Sequence, residues 1–104
     1  MNRMTDRRIL NQALRAIREY HGGKIGLQAV VNAVDLVRSE IRPHLKNIEE
    51  VYLNLETINA VRLDERRPVN EGEREEIDRL LLRLESEVGP VLAAAEKAVG
   101  SEEE

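Results

Sequence analysis

The sequence predicts an all-α protein, a compact four-helix bundle, and three observations indicate this fold class. Apolar residues recur at helical spacing through almost the whole chain, whereas apolar and polar residues never alternate long enough to indicate a strand. Glycine, proline and polar segments divide the periodic sequence into four stretches. A chain of 104 residues can bury one core, so we expect a single helical domain over residues 1–104.

The first helix is predicted to begin with Thr5 as its N-cap and to stop at Gly22-Gly23. Its apolar face is expected to carry Ile9, Leu10, Ala13, Leu14, Ile17 and Tyr20. The opposite face carries Arg8, Arg15 and Arg18. Residues 1–4, ahead of this helix, are expected to be disordered.

The second helix is predicted to start near Gly26 and to end before Pro43, because a proline ring disfavours helical backbone in the residue before it. Its apolar stripe contains Leu27, Val30, Val31, Val34, Val37 and Ile41. This stripe is rich in β-branched residues, and the helix is predicted to be the most buried of the four.

The third helix is predicted from about Leu45 to Asp64, with its apolar stripe formed by Ile48, Val51, Tyr52, Leu55 and Ile58. Asn59 falls inside this stripe and would need hydrogen-bond partners if buried. Those partners lie either within the bundle or in another chain packed at a seam. The polar segment 65–72 that follows is the longest predicted loop and the best candidate for mobility.

The fourth helix is predicted from about Glu73 to Val88, with Ile77, Leu80, Leu81, Leu84 and Val88 facing inward. Beyond Gly89-Pro90 the periodicity continues to Val99, either as a kinked continuation or as a short fifth helix. Residues 100–104 are expected to be disordered. On a helical wheel Leu82 lies about 140° from Ile77, among carboxylates. It is therefore either an exposed anchor for a partner or a contact to a second helix.

Charge is divided by sequence position. Residues 1–46 contain nine Lys/Arg and four Asp/Glu, whereas residues 47–104 contain seven Lys/Arg and sixteen Asp/Glu. The acidic excess concentrates between Glu71 and Asp78 and at the C-terminus, which predicts a surface for a basic partner. One alternative stays open, in which the arginines of the first helix pair with carboxylates of the fourth across their seam.

Composition excludes several kinds of site. The chain has no cysteine, which rules out disulfides, thiolate zinc sites and cysteine nucleophiles. It has no glycine-rich phosphate loop and no serine in a nucleophile context, so we expect no catalytic, cofactor-binding or metal site. There is no signal-peptide-like segment and no run of about 18 apolar residues. We therefore expect a cytoplasmic protein that does not bind a membrane.

The basic residues raise two further function classes, a ribonuclease and a DNA-binding protein. Each histidine follows an arginine by six positions, as Arg15 to His21 and Arg38 to His44. This spacing resembles the Arg-x(4–6)-His motif of HEPN-type ribonucleases, in which the pair lines an RNA-cleaving site at a dimer seam. DNA binding would need the positive face of the first helix, and the overall net charge of −4 predicts no nucleic-acid partner.

The stretch Gly23-Lys24-Ile25-Gly26-Leu27 leads into Val30-Val31, and Leu55-Glu56-x-Ile58-Asn59-Ala60-x-x-Leu63-Asp64 follows later. Over residues 14–64 this arrangement resembles the small helical immunity proteins that bacteria encode beside colicin-type and contact-dependent toxins. The resemblance implies a non-enzymatic inhibitor. Its acidic surface would cover the active site of a cationic toxin domain, commonly a nuclease.

These observations favour a non-enzymatic interaction module, most concretely a toxin-neutralising immunity protein. The alternatives are a structural subunit or homodimeric helical assembly protein and, third, the HEPN-like ribonuclease. The residues predicted to contact the basic protein partner are Glu71, Glu73, Glu75, Glu76, Asp78 and Leu82.

Overall fold

The computed structural model describes the backbone of residues 3–41 and 45–103, and the side chains of residues 6–41 and 45–94. Over those ranges it contains four helices, α1 (Arg3–His21), α2 (Leu27–Glu40), α3 (Ile48–Asp64) and α4 (Glu71–Glu103), and no strand. α1 packs against α2 and α4, and α3 packs against the same two helices. The predicted all-α four-helix bundle is confirmed.

The core is aliphatic and follows the predicted stripes. α2 buries Leu27, Val30, Val31, Val34 and Val37. α4 buries Ile77, Leu80, Leu81, Leu84, Val88 and Leu92. The two tyrosines and Leu14 pack against this core while remaining partly exposed. Because each helix buries one stripe against a shared interior, the helical spacing of apolar residues is sufficient to specify the arrangement.

The start of α1 differs from the prediction, and its end agrees with it. The helical backbone begins at Arg3, so Thr5 lies inside the helix and its prediction as N-cap is wrong. At the other end the Lys24 N–H donates to the Glu19 carbonyl at 2.8 Å, and the Gly23 N–H donates to Tyr20 at 3.0 Å. This double hydrogen bond needs a left-handed residue, and Gly23 supplies it with φ of 75°.

α3 begins at Ile48, three residues later than predicted. The backbone N–H of Asn47 donates to a carboxylate oxygen of Glu87 on α4 at 3.3 Å, and its side-chain amide donates to the other oxygen. This contact fixes Asn47 as the residue before the helix. Leu45 is still buried although it lies in a turn. Pro43 and His44 lie outside the described residues.

The C-terminal end of α3 repeats the geometry of the α1 end without a glycine. The Arg67 N–H donates to the Arg62 carbonyl at 3.1 Å and the Arg66 N–H donates to Leu63 at 3.2 Å. Arg66 therefore occupies the left-handed position, with φ of 54°. An L side chain is disfavoured there, so this turn stores a small strain.

α4 is one helix through Pro90, so the separate fifth helix that the sequence left open does not form. The apolar stripe explains the continuity, because Val88 and Leu92 flank the proline and both are buried. Burial on either side holds the helix together where the proline removes a backbone hydrogen bond. The predicted disorder of residues 1–4 and 100–104 falls on segments whose side chains lie outside the described residues, and it stays a prediction.

Candidate functional site

The sequence places the candidate site at the beginning of α4, and side-chain to backbone hydrogen bonds determine where that helix starts. Asn70 Oδ1 accepts from the Glu73 N–H at 2.8 Å, and a Glu73 carboxylate oxygen accepts from the Asn70 N–H at 3.1 Å. This reciprocal capping box satisfies two donors that a helix start leaves unpaired. It explains why α4 begins at Glu71, two residues before the predicted start.

Glu73 also forms the strongest ion pair that the structure describes. The Arg67 guanidinium donates two parallel hydrogen bonds to the Glu73 carboxylate, at 2.6 and 2.9 Å, and a third at 2.7 Å to Glu65. Arg67 and the Asn70 N–H lower the pKa of Glu73 from 4.5 to about 2. The two carboxylates in turn raise the pKa of Arg67.

These bonds change the role that the sequence predicted for Glu73. Only 17% of its side chain is exposed, and its carboxylate is already bound to Arg67, so we remove it from the partner-binding set. The predicted long loop is the short connection 65–70, which the Arg67 ion pair ties to α4. The Asn70-x-x-Glu73 spacing was the sequence signal for this arrangement, since it is the pattern of a capping box.

The remaining predicted residues lie on the outer side of α4. Glu71, Glu75, Asp78 and Leu82 follow one another at helical spacing, and we call these four residues the α4 face. Leu82 is 67% exposed, more than any other large hydrophobic side chain among residues 6–41 and 45–94. Of the two alternatives for Leu82, the structure supports exposure rather than contact with a second helix. The last predicted residue, Glu76, lies at the edge of this face and pairs with Arg79 at 2.8 Å.

The carboxylates of the α4 face differ in whether they are engaged. Glu71 and Glu75 form no ion pair with any described side chain. Asp78 Oδ1 lies 3.2 Å from His21 Nε2, which is within the distance of both a hydrogen bond and an ion pair. Both side chains are about half exposed. Two unpaired carboxylates, Glu71 and Glu75, therefore precede the exposed leucine on this face, about 16 and about 10 Å from it along the helix axis. The third carboxylate, Asp78, pairs with the half-exposed His21.

One alternative from the sequence predicts ion pairs between the arginines of α1 and the carboxylates of α4. The seam between these two helices contains few such pairs among the described side chains. α1 does pack against α4, but among the described side chains His21 and Asp78 form the ion pair that joins them. Arg15 pairs within α1, with Glu19 at 3.3 Å. Arg8 and Arg18 have no carboxylate partner among the described residues. Among the described side chains, the arginines of α1 are therefore not paired with the carboxylates of α4.

Asn59 is buried inside the bundle, at 4% exposure. Its amide donates to Gln28 Oε1 of α2 at 2.6 Å, and its carbonyl oxygen accepts from Arg62 Nη2 at 2.8 Å. Gln28 continues the chain by donating to Asn32 Oδ1 at 2.9 Å. Of the two predicted roles for Asn59, the structure supports the bridge between helices of the same bundle.

His21 lines a surface cleft between the α1–α2 turn and the start of α4. The cleft has a volume of about 400 Å³ and also contains Tyr20, Arg74 and Asp78. Burial raises the pKa of Tyr20, the charge of Asp78 raises it further, and Arg74 opposes the shift. Arg15 lines a different depression, on the outer side of α1. Within one chain Arg15 and His21 line different depressions, and the Arg38 and His44 pair includes a residue outside the described ones. The ribonuclease alternative, whose site would lie at a dimer seam, stays a prediction.

Neither a metal site nor a membrane-spanning helix is present among the described residues. No group of three or more His, Asp or Glu side chains among the described residues is placed to hold a metal ion. None of the described helices combines the length and the apolar character that crossing a membrane requires. Compared with known proteins, the chain matches no family model, no curated protein and no solved structure.

Proposed function

We propose that this chain is a non-enzymatic protein-interaction module that binds a basic protein partner through the α4 face. The observation that carries the proposal is the 67% exposure of Leu82 on the same helix face as the unpaired carboxylates of Glu71 and Glu75. Leaving a leucine in water forgoes about 1.5–3 kcal/mol of burial energy. A partner pocket that covers Leu82 would recover that energy.

The two kinds of residue have different roles in this mechanism. Leu82 supplies the buried apolar contact, because anchors at the centre of an interface contribute most of the binding energy. Glu71, Glu75 and Asp78 lie on the N-terminal side of the anchor, and their charge attracts a cationic surface. Rim charges of this kind change the association rate and its salt dependence more than the final affinity.

The most concrete form of the proposal is a toxin-neutralising inhibitor of the immunity type, as the sequence resemblance implies. Such an inhibitor works by occlusion, covering the active site of a cationic toxin domain without chemistry of its own. The supporting features are the acidic helix and the exposed anchor. The gene beside this one in the native host provides the first partner to test, since immunity proteins are encoded beside their toxins.

The test measures binding kinetics of that gene product by surface plasmon resonance. Leu82→Arg is expected to weaken binding at least 30-fold, mainly through faster dissociation. Glu71→Lys with Glu75→Lys is expected to slow association several-fold at 50 mM salt and little at 500 mM. The matched control reverses Glu40 and Asp64, two exposed carboxylates on other helices that have no ion pair among the described residues. Equal association rates for both double variants would refute the α4 face as the binding surface.

A second candidate function, a homodimeric assembly protein, is favoured by the outer side of α2. Ile25 to Val34 is the longest run without a charged residue in the chain, and on α2 it leaves Ala29 and Asn32 exposed. Leu36, on the same side, is 39% exposed. A two-fold interface brings identical residues together, so an uncharged face is the kind that a second copy can cover without repulsion.

Light scattering separates this candidate from the first. A mass of two chains for the wild type that Leu36→Glu reduces to one chain, while Leu53→Glu on α3 does not, would support assembly through α2. A single-chain mass for the wild type at 1 mM would exclude it.

A further inference from the structure

α1 carries a second charged surface, which the proposed function does not use. A depression of about 370 Å³ on its outer side is lined by Arg7, Arg8, Asn11, Gln12 and Arg15, and we call it the basic groove. Every one of these side chains donates hydrogen bonds, and three carry a guanidinium charge that persists at any physiological pH. No carboxylate is among the described side chains that line it. This donor set fits a ligand rich in anionic oxygen atoms.

Of the three arginines of the basic groove, Arg8 and Arg15 are exposed and Arg7 is partly buried. Arg7 and Arg8 form no ion pair with a described carboxylate. Arg15 is 79% exposed, and its pair with Glu19 is a solvated contact between residues four apart on one helix. Exposed pairs of this kind contribute about 0–1 kcal/mol, so a multivalent anion can compete for Arg15.

The acidic face lies at the other end of the seam between α1 and α4. Short connections make successive helices antiparallel, so α1 and α4 are also antiparallel, and His21 contacts Asp78 where α1 ends. Arg8 precedes His21 by thirteen residues, an axial distance of about 20 Å at 1.5 Å per residue. Charges on solvated surfaces are screened over about 8 Å at physiological salt. The Glu71 to Asp78 carboxylates therefore have little effect on the field at Arg8.

The part of α4 that lies level with Arg7 and Arg8 is uncharged, whereas the part level with Arg15 includes Glu85 and Glu87. Counting from the His21 contact, Arg8 is level with the region of Val91, and residues 88–94 contain no charged side chain. The sequence prediction of no nucleic-acid partner rests on the net charge of the whole chain. Within α1 itself, residues 6–21 contain four arginines and two carboxylates, Asp6 and Glu19, so this helix is locally positive although the whole chain is negative.

We propose that the basic groove binds the phosphodiester backbone of a nucleic acid strand, without preference for base sequence. Arg7 to Arg15 span about 12 Å of helix, which corresponds to three or four phosphates of one strand at 3.4 Å of axis each. The described residues around the groove include no aromatic ring on which bases could stack. Contacts limited to phosphates fix position and carry no sequence information. This site is independent of the α4 face.

The test uses fluorescence anisotropy of a labelled 20-nucleotide oligouridine RNA with the full chain. Binding at 50 mM salt is expected with a Kd on the order of 10 µM. Three phosphate contacts on a single strand predict a log–log salt slope of about −2, so affinity should fall about 20-fold between 50 and 200 mM salt. This slope is measured on the unmodified protein and needs no variant.

Replacing Arg7, Arg8 and Arg15 by glutamine should weaken binding at least 10-fold, with unchanged helical circular dichroism. The matched control replaces Arg66, Arg74 and Arg79 by glutamine, which makes the same change in net charge away from the groove. It should alter affinity less than 3-fold. The proposal is overturned if the wild type does not bind at 50 mM salt or if both variants lose affinity equally. It is also overturned if a 20-residue polyglutamate peptide binds the groove more tightly than the RNA, because the site would then be one for an acidic protein.

Discussion

Replacing Asn59 by alanine tests whether the buried amide bridge between α2 and α3 stabilises the bundle. The substitution removes one hydrogen bond to the neutral Gln28 amide and one to the Arg62 guanidinium. A buried neutral bond contributes about 0.5–1.5 kcal/mol, and a bond to a charged group about 1.5–3 kcal/mol. Alanine has a better helix propensity than asparagine by about 0.5 kcal/mol, which offsets part of the loss. We expect Asn59→Ala to lower the free energy of unfolding by about 1.5–4 kcal/mol.

Urea denaturation followed by circular dichroism at 222 nm measures this loss. Asn54→Ala is the matched control, because Asn54 is exposed on the same helix and gains the same propensity without losing a hydrogen bond to a described residue. A loss of about 3 kcal/mol corresponds to a midpoint lowered by about 1–3 M urea. If the free energies of unfolding of the two variants differ by less than about 0.5 kcal/mol, water replaces the Asn59 hydrogen bonds at little cost. The buried amide bridge would then not stabilise the bundle.

Three other predictions concern the turns, one ion pair and the core. Arg66→Gly should raise the free energy of unfolding by about 0.5–1 kcal/mol, because glycine accepts the φ of 54° without strain. Gly23→Ala, at a residue with φ of 75°, should lower the free energy of unfolding by about 1 kcal/mol. In thermal melts, a lower melting temperature for Arg66→Gly or a higher one for Gly23→Ala would contradict this explanation of the two turns. Because Arg67 lowers the pKa of Glu73 to about 2, the stabilisation by this pair is complete above about pH 4.5 and is lost as pH falls through 2. Glu73→Gln should therefore be less stable than the wild type at pH 7, with a difference that shrinks towards pH 2 in urea titrations; a difference that stays constant with pH would exclude the ion pair as its cause. Leu84→Ala, at a position with 0% exposure, should lose about 3–5 kcal/mol, and a loss below 1 kcal/mol would mean that the core closes around the cavity.

The helices and their buried faces could be predicted because packing on one core imposes a spacing that is visible in the sequence. Leu81 and Leu84, for example, are buried as the period predicts. The boundaries that were missed depend on contacts between residues far apart or on hydrogen bonds to backbone. Glu87 is forty residues from Asn47, whose position before α3 it fixes, and no local pattern contains that information.

The candidate site was predictable to a similar extent. The helical wheel places Leu82 away from the main apolar stripe but leaves exposure and contact with a second helix open, and the packing of α4 decides between them. The commitment of Glu73 to Arg67 depends on the path of the connection between α3 and α4, which helical periodicity does not describe. Similarly, the division of charge along the sequence does not state which arginines and carboxylates lie level with one another. That information required the antiparallel packing of α1 on α4.

The length of α4 has a hydrodynamic consequence. A helix of 33 residues is about 50 Å long, close to the 53 Å longest dimension of a molecule that measures 24 and 17 Å in the other directions. The radius of gyration, 14.6 Å, exceeds the value of about 13 Å that is usual for a compact chain of 100 residues. Such a rod experiences more friction than a sphere of equal mass, so a monomer will elute early from a sizing column. Elution volume alone would then be misread as self-association, and the assembly state of this protein has to be measured as a mass.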